Sequence, residues 1–219
     1  MRYPMELDIT GRCCVIVGGG AVAERKAGPL LAAGADVTVI APQLTAGLAA
    51  WRDEGRLRHE AVVYRPGILK DMARRPFLVF AATDDRDVNA AVYAEGRATG
   101  ALVNVATAMG APRSDFTVPA TLRRGRLSVS VATEGLSPAL SRALRLELEQ
   151  QLPESLGEWL ERVANLRSEL KEKMKTQPER QAFWRRVLDK DIMELVRQGD
   201  LDQAEVMIRN AASGIGIEP

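Results

Sequence analysis

Short apolar runs alternate with helical patterns along the first half of the chain. The run Cys13 to Val17 is mostly β-branched and uninterrupted, which is typical of a strand buried on both faces of a parallel sheet. A helix is predicted over Ala21 to Ala33, and Gly34 is well placed to end it. Further strands are predicted at Asp36 to Ile40, Leu57 to Val63, Phe77 to Ala82 and Leu102 to Val105, with a helix at Asp87 to Thr99. This alternation predicts an α/β fold, a Rossmann domain with a parallel sheet over residues 1–113.

The pattern changes near residue 112. Asp115 to Leu122 and Arg126 to Val131 are predicted as two strands joined by Arg123-Arg124-Gly125. The second strand alternates apolar and polar residues, which favours a small, half-exposed antiparallel hairpin. Ser137 and Pro138 then form a helix start, with leucines at four-residue spacing behind them. These leucines, Leu140, Leu144 and Leu148, form one apolar stripe in a region predicted to span residues 114–150.

The rest of the chain has helical patterning and no strand signal. Glu154 to Ala211 is rich in Leu, Glu, Lys and Arg. We expect a small helical domain over residues 151–219, with Thr176-Gln177-Pro178 dividing two helices.

Composition excludes several classes of protein. Hydrophobic residues make up 46% and charged residues 27% of the chain, which is typical of a soluble globular protein. The net charge of +1 gives no general reason to expect nucleic-acid binding. Cys13 and Cys14 are expected to be reduced, buried thiols, and a single histidine, His59, makes a metal cluster unexpected. We find no signal peptide and no membrane-spanning run, so the cytoplasm is the expected location.

A glycine turn follows the first predicted strand. Gly18-Gly19-Gly20-Ala21-Val22-Ala23 is a G-x-G-x-x-A variant. The first glycine allows a tight turn, and the third lets the backbone approach a pyrophosphate at the helix N-terminus. Because it lies between a strand and a helix, the turn predicts a dinucleotide cofactor. The alternative is a glycine-rich turn of an α/β protein that binds no dinucleotide.

Other candidate cofactor contacts lie at strand ends. The second strand ends Ile40-Ala41-Pro42-Gln43 without the acid that usually holds the ribose, so Gln43 or backbone groups would take that role. No arginine follows either, which favours NAD over NADP. Four residues end strands on the same edge, and Asp84-Asp85 could instead cap a helix. The four are Thr83, Asp84, Asn104 and Val105.

Several segments resemble one family, the precorrin-2 dehydrogenase and ferrochelatase module of sirohaem synthase. The segments cover roughly the first 150 residues in the family's order, and the helical tail, with ERQAFWRR at Glu179 to Arg186, is also similar. The matching segments of the first 150 residues are VGGGAVAERKA (Val17 to Ala27), AATDD (Ala81 to Asp85) with Val88-Asn89, Asn104-Val105, DFTVPA (Asp115 to Ala120) and TEGLSPALSR (Thr133 to Arg142).

The resemblance implies a reaction, a cofactor and a partner. Precorrin-2, a tetrapyrrole with eight carboxylates, would lose two hydrogens to become sirohydrochlorin while NAD⁺ accepts a hydride. Ala21, Val22, Pro42 and Gln43 match family positions that line the NAD site. The family also implies a homodimer joined through the hairpin regions, with residues 114–150 as the dimerisation region.

An arginine cluster in and beside the hairpin is a candidate site for the substrate's carboxylates. The alternative is a solvated turn and a charged helix face. Thr133 matches a family position that is often serine, which suggests either a phosphorylation site or a substrate contact. The candidate cations are Arg113, Arg123, Arg124, Arg126, Arg142 and Arg145.

The chain departs from the family at Thr107. The family often carries there an aspartate proposed to act in catalysis and metal insertion, and threonine cannot replace a carboxylate base. We therefore expect weak or absent ferrochelatase activity. Asp115 is the nearest carboxylate and a candidate catalytic residue, although capping a strand is its simpler role. His59 is expected to be structural.

Two alternative functions stay open. The protein could be a bifunctional dehydrogenase and ferrochelatase. It could also be a non-catalytic NAD-sensing regulatory module, which would explain the glycine turn but not the hairpin, the arginines or the helical tail.

Overall fold

The computed structural model describes residues 2–106, 114–171, 173–174 and 176–214. The chain forms two compact units, Met1–Val118 and Pro119–Pro219. The first is the α/β unit predicted from the apolar runs. In the second, the hairpin packs against the helices that follow it, although the sequence suggested separate regions at 114–150 and 151–219.

A five-stranded parallel sheet forms the centre of the first unit. Its strands are β1 (Cys13–Val17), β2 (Asp36–Ile40), β3 (Leu57–Glu60), β4 (Leu78–Ala81) and β5 (Leu102–Val105). They lie in the order β3-β2-β1-β4-β5, so β1 and its glycine turn are central, between β2 and β4. Strand β3 is shorter than predicted because the Val62 amide donates to the Glu60 carbonyl at 2.8 Å, which turns the chain out of the sheet.

Helices cover both faces of this sheet. Helices α1 (Ala21–Ala32) and α2 (Ala46–Asp53) bury Ala27, Leu30 and Leu48 on one face. Helix α3 (Arg86–Ala98) packs on the other face, over β4 and β5. Helix α2 was not predicted; its signal in the sequence is the N-cap Thr45, whose hydroxyl accepts a hydrogen bond from the Leu48 amide.

The outer edge of β5 is covered by residues 114–116. The Asp115 amide donates to the Val103 carbonyl at 2.8 Å, and the Val103 amide donates to the Asp115 carboxylate at 3.0 Å. The Val105 amide donates to the Ser114 hydroxyl at 2.9 Å. Because this segment lies along β5, the hairpin strand predicted from Asp115 begins only at Ala120.

The second unit is a hairpin followed by helices. The hairpin turn is Gly125-Arg126, so Arg123 and Arg124 lie inside the first strand and not in the turn. The described part of the tail after residue 153 contains four helices and not two. The elements are β6 (Ala120–Arg124), β7 (Leu127–Val131), α4 (Pro138–Gln151), α5 (Ser155–Glu169), α6 (Gln177–Val187), α7 (Lys190–Gln198) and α8 (Leu201–Ser213).

Aspartate N-caps explain the two additional helices, α7 and α8. The carboxylates of Asp189 and Asp200 accept from backbone amides at the starts of α7 and α8, and Gly199 ends α7 with φ +81°. Helix α4 begins as predicted, with Ser137 as N-cap and Pro138 in its first turn. Among the described helices, none combines the length and the apolar character needed to cross a bilayer.

The two cysteines are buried thiols, as the sequence predicted, and we expect them to resist alkylation. Cys13 and Cys14 are 4% and 0% exposed, and burial raises the pKa of the Cys14 thiol to about 12. At about pH 8 only about one Cys14 in 10,000 would be a thiolate, the reactive form. Iodoacetamide should therefore label neither residue in the native protein and both in guanidinium, as counted by mass spectrometry. Rapid native labelling of Cys14 would contradict this.

Candidate nucleotide-binding site

A cavity of about 720 Å³ lies at the carboxyl edge of the sheet, where β1, β2 and β4 end. In doubly wound sheets, ligands bind at this edge beside the point where the strand order reverses. Ten residues predicted from the sequence as cofactor contacts line it. They are Gly18, Gly19, Gly20, Ala21, Val22, Ala41, Pro42, Gln43, Thr83 and Asp84.

The three positions of the turn are occupied by glycine for different structural reasons. Gly18 has φ +122°, and a Cβ there would lie 2.4 Å from the Ala82 carbonyl oxygen. A Cβ on Gly19 would lie 1.9 Å from the Gln43 carbonyl oxygen. Gly20 has an ordinary φ of −85°, and a Cβ there would meet nothing within 4 Å. Gly18 and Gly19 are thus required by the fold, whereas Gly20 leaves open space on the cavity side.

Helix α1 begins at this open space. Gly20 is its N-cap, and no side chain caps the helix. The amides of the first turn and the positive end of the helix dipole therefore face the cavity, an arrangement that suits an anion. Space beside Gly20 and uncapped amides together fit the diphosphate of a dinucleotide.

Hydrogen bonds hold the turn between β4 and α3. Asn89 is 1% exposed; its side-chain carbonyl accepts from the Thr83 amide at 3.1 Å, and its NH₂ donates to the Thr83 carbonyl at 2.9 Å. Asp85 caps α3 by accepting from the amides of Asp87 and Val88. Asp84 is exposed and lines the cavity. Asp85 therefore caps the helix and also lines the cavity, whereas Asp84 lines the cavity without capping.

Part of the cavity lining was not predicted, most clearly the residues after β3. Tyr64 is 8% exposed, and its hydroxyl donates to Glu95 on α3. Glu95 also accepts from the amides of Gly67 and Lys70, so it fixes this loop. Tyr64 follows the end of β3, at the same edge of the sheet as Thr83. The rule that parallel strands share a carboxyl edge could therefore have identified it. The missed residues include Leu44, Thr45, Val63, Tyr64, Asp85 and Val88.

Asn104 and Val105 do not line this cavity. They end β5, which lies two strands away from the glycine turn. Asn104 is 6% exposed and its amide donates to the Phe116 carbonyl at 2.9 Å. The sequence placed them on the correct edge of the sheet, but it did not give the lateral order of the strands.

Asp115, the candidate catalytic residue, is held at the side of the sheet. Its carboxylate accepts from the Val103 amide and pairs with Arg97 at 3.4 Å. It does not line the cavity at the glycine turn. These contacts match the simpler, structural role, and its catalytic role stays a prediction. His59 is also structural, since its Nε2 lies 2.8 Å from the Ala41 carbonyl oxygen.

The structure separates the hairpin arginines by their exposure. Arg124 is 7% exposed and donates to the carbonyls of Leu152 and Glu149 at 2.7 and 3.1 Å, and it pairs with Glu154 at 2.9 Å. Its donors are therefore used within the protein, which corrects the prediction that Arg124 binds carboxylates. Arg123 and Arg142 are exposed.

The remaining substrate candidates are placed as follows. The Thr133 hydroxyl donates to the Ser137 carbonyl at 3.1 Å and accepts from the Ser137 amide at 3.2 Å, so it holds the turn before α4. Arg145 pairs with Glu149 at 2.7 Å. Arg126, in the hairpin turn, is exposed. Arg113, like Thr107, lies outside the described residues.

Comparison with known proteins agrees with this geometry. Residues 5–120 match the family model described as "Putative NAD(P)-binding", which covers the sheet and the cavity. The chain belongs to this NAD(P)-binding family. Residues 155–211 match a second model, described as "Sirohaem synthase dimerisation region". The match to the NAD(P)-binding model confirms the predicted nicotinamide dinucleotide cofactor.

Individual proteins extend the likeness to nearly the whole chain. Over 98% of this chain, the sequence is 38% identical to the siroheme synthase of Nitrosococcus oceani. Over 97% of this chain, it is 38% identical to the siroheme synthase of Chromobacterium violaceum. It spans only 45% and 44% of those relatives. A solved structure described as "SirC, precorrin-2 dehydrogenase" matches with a TM-score of 0.76 and 26% identity, covering 97% of this chain and all of that one. The resemblance drawn from the sequence is confirmed.

Proposed function

We propose that this protein catalyses the NAD⁺-dependent dehydrogenation of precorrin-2 to sirohydrochlorin. The observation that supports it most is the open space at Gly20, beside the uncapped α1, in a chain of which 97% matches a solved precorrin-2 dehydrogenase. When bound in the cavity, NAD⁺ would supply the hydride acceptor, and a base or water would take the proton that leaves the substrate. The chain's own part is to bind the diphosphate through backbone amides and to fix the nucleotide at the sheet edge.

The cavity lining supports NAD over NADP. Among the described residues that line it, none is lysine or arginine, and two are aspartates, Asp84 and Asp85. A 2′-phosphate would therefore find no cation in the described lining to pair with.

A direct assay tests this proposal. Full-length protein mixed anaerobically with precorrin-2 and NAD⁺ should give the sirohydrochlorin spectrum with one NADH formed per product. With NADP⁺, kcat/KM should be at least about tenfold lower, equivalent to about 1.4 kcal/mol. No spectral change with NAD⁺ would overturn the proposal, and tight NAD⁺ binding without turnover would favour a regulatory module.

Metal insertion is proposed to be weak or absent. Threonine stands at position 107, and the carboxylate of Asp115 is engaged by Val103 and Arg97. Two pyrrole protons must leave when a metal enters, and these residues offer no free base. Adding Fe²⁺ or Co²⁺ to sirohydrochlorin should give the same rate with and without protein; a faster rate with protein would contradict this part.

A homodimer is also part of the proposal. The match of residues 155–211 to a dimerisation region supports it. So do exposed leucines on and just before α4, where Leu136 is 90%, Leu140 50% and Leu144 39% exposed. An apolar stripe of this kind is typical of a surface that a second subunit covers.

A further inference from the structure

A second cavity, of about 890 Å³, lies against the sheet face opposite to α1 and α2. Parallel sheets are normally covered by helices on both faces. Here α3 covers only β4 and β5, and the connection from β3 to β4 runs as turns over the rest of that face. The cavity lies between this connection, residues 62–74, and strands β1 to β3.

A buried hydroxyl without a partner lies in the wall of this second cavity. Thr38, in β2, is 2% exposed, and its Oγ has no hydrogen-bond partner among the described residues. The cavity is also lined by the apolar side chains of Ile40, Ile68 and Met72. A buried polar group is normally hydrogen-bonded, so an unpartnered hydroxyl in the wall of a cavity marks the place where a ligand's polar group would bind.

The charges around the second cavity balance. Asp36 pairs with both Arg58 and Arg74, which lie at the cavity. Asp36 does not itself line the cavity, and the other charged groups that do are one cation and two anions, Arg65, Glu60 and Asp71. The lining thus has three guanidinium groups and two carboxylates, and the carboxylate of Asp36, paired with Arg58 and Arg74, neutralises the remaining positive charge. The dinucleotide and a polycarboxylate are therefore both poor ligands for it.

We propose that the second cavity binds an uncharged small molecule with an apolar body and one hydroxyl or N–H group, which the Thr38 hydroxyl hydrogen-bonds. Its volume is in the range of small-molecule sites. The site is separate from the proposed cofactor cavity, although Ile40 lines both.

Phenol and toluene are matched probes for this site, since they differ by one hydroxyl. Calorimetric titration of the full chain should detect both. In Thr38→Val, phenol affinity should fall about five- to tenfold, as expected for one neutral hydrogen bond, while toluene affinity stays unchanged. The valine also removes an unpartnered buried hydroxyl, so the Tm should rise by about 2–4 °C.

Three controls make the test specific. Saturating NAD⁺ should leave phenol binding unchanged, benzoate should bind at least about tenfold more weakly than phenol, and Ala73→Trp, at an exposed lining position, should abolish binding of both probes. The proposal is overturned if wild-type protein binds neither probe, if NAD⁺ displaces phenol, or if Thr38→Val leaves phenol affinity unchanged. A lower Tm in Thr38→Val would show that the hydroxyl already has a partner such as trapped water, which also overturns it.

Discussion

Replacing Gly20 with valine is expected to weaken NAD⁺ binding by about 100-fold or more, since losing the diphosphate contacts costs roughly 3 kcal/mol. The backbone of Gly20 suits any residue, and a Cβ there meets no protein atom within 4 Å. The two methyl groups would instead occupy the space where the diphosphate approaches the α1 amides. Because no protein contact is disturbed, the free energy of unfolding should change by about 1 kcal/mol or less. Titration calorimetry and thermal unfolding measure the two effects separately.

Gly19→Ala is the matched control for Gly20→Val. Its methyl group would lie 1.9 Å from the Gln43 carbonyl oxygen, a backbone atom, so the turn itself must move. We expect Gly19→Ala to lower the Tm, whereas Gly20→Val loses nucleotide without losing stability. Unchanged NAD⁺ affinity in a folded Gly20→Val protein would refute the assignment of the cavity.

Replacing Arg124 with alanine is expected to lower the free energy of unfolding of the second unit by about 3 kcal/mol, since two part-buried carbonyl groups lose a charged donor. Arg124 is 7% exposed and bonds the carbonyls of Leu152 and Glu149, which tie β6 to the chain around the end of α4. Denaturant unfolding followed by circular dichroism measures the loss.

Arg123→Ala is the control, since Arg123 is the exposed neighbour on the same strand. Its stability should stay within about 0.5 kcal/mol of the wild type. Under the proposed function, Arg123→Ala should raise KM for precorrin-2 about three- to tenfold through the loss of one exposed carboxylate contact. Equal stabilities of the two variants would show that the buried network around Arg124 has been misassigned.

Local pattern predicted the Rossmann unit because its strands are short apolar runs and its helices start and stop at recognisable residues. The run Cys13–Val17 is buried throughout, and Gly34 follows α1 with φ +73°. Among the predicted residues of the cavity, the three glycines followed from the turn motif, and Thr83 and Asp84 from the rule that parallel strands share a carboxyl edge. The family resemblance supplied Ala21, Val22, Pro42 and Gln43.

What the sequence could not give was the course of the connections. Asn104 and Tyr64 both follow the edge rule, and β5 and β3 lie equally far from β1, so the strand order does not separate them. Tyr64 lies at the cavity because Glu95 fixes the connection after β3, whereas the Asn104 side chain is bonded to the Phe116 carbonyl. The hairpin turn was also predicted two residues too early, which changed the expected exposure of Arg124. With Arg123 and Arg124 in a turn, both would be solvated; inside a strand, neighbours point to opposite faces, so one is buried.

The segment 114–116 along β5 has a consequence for how this protein associates with itself. An open edge strand offers unpaired backbone groups that can recruit a strand from another molecule and begin a growing β-aggregate. Here the amides of Val103 and Val105 are already satisfied by Asp115 and Ser114. This side of the sheet is thus closed to intermolecular strand addition even at high concentration, and self-association must use other surfaces.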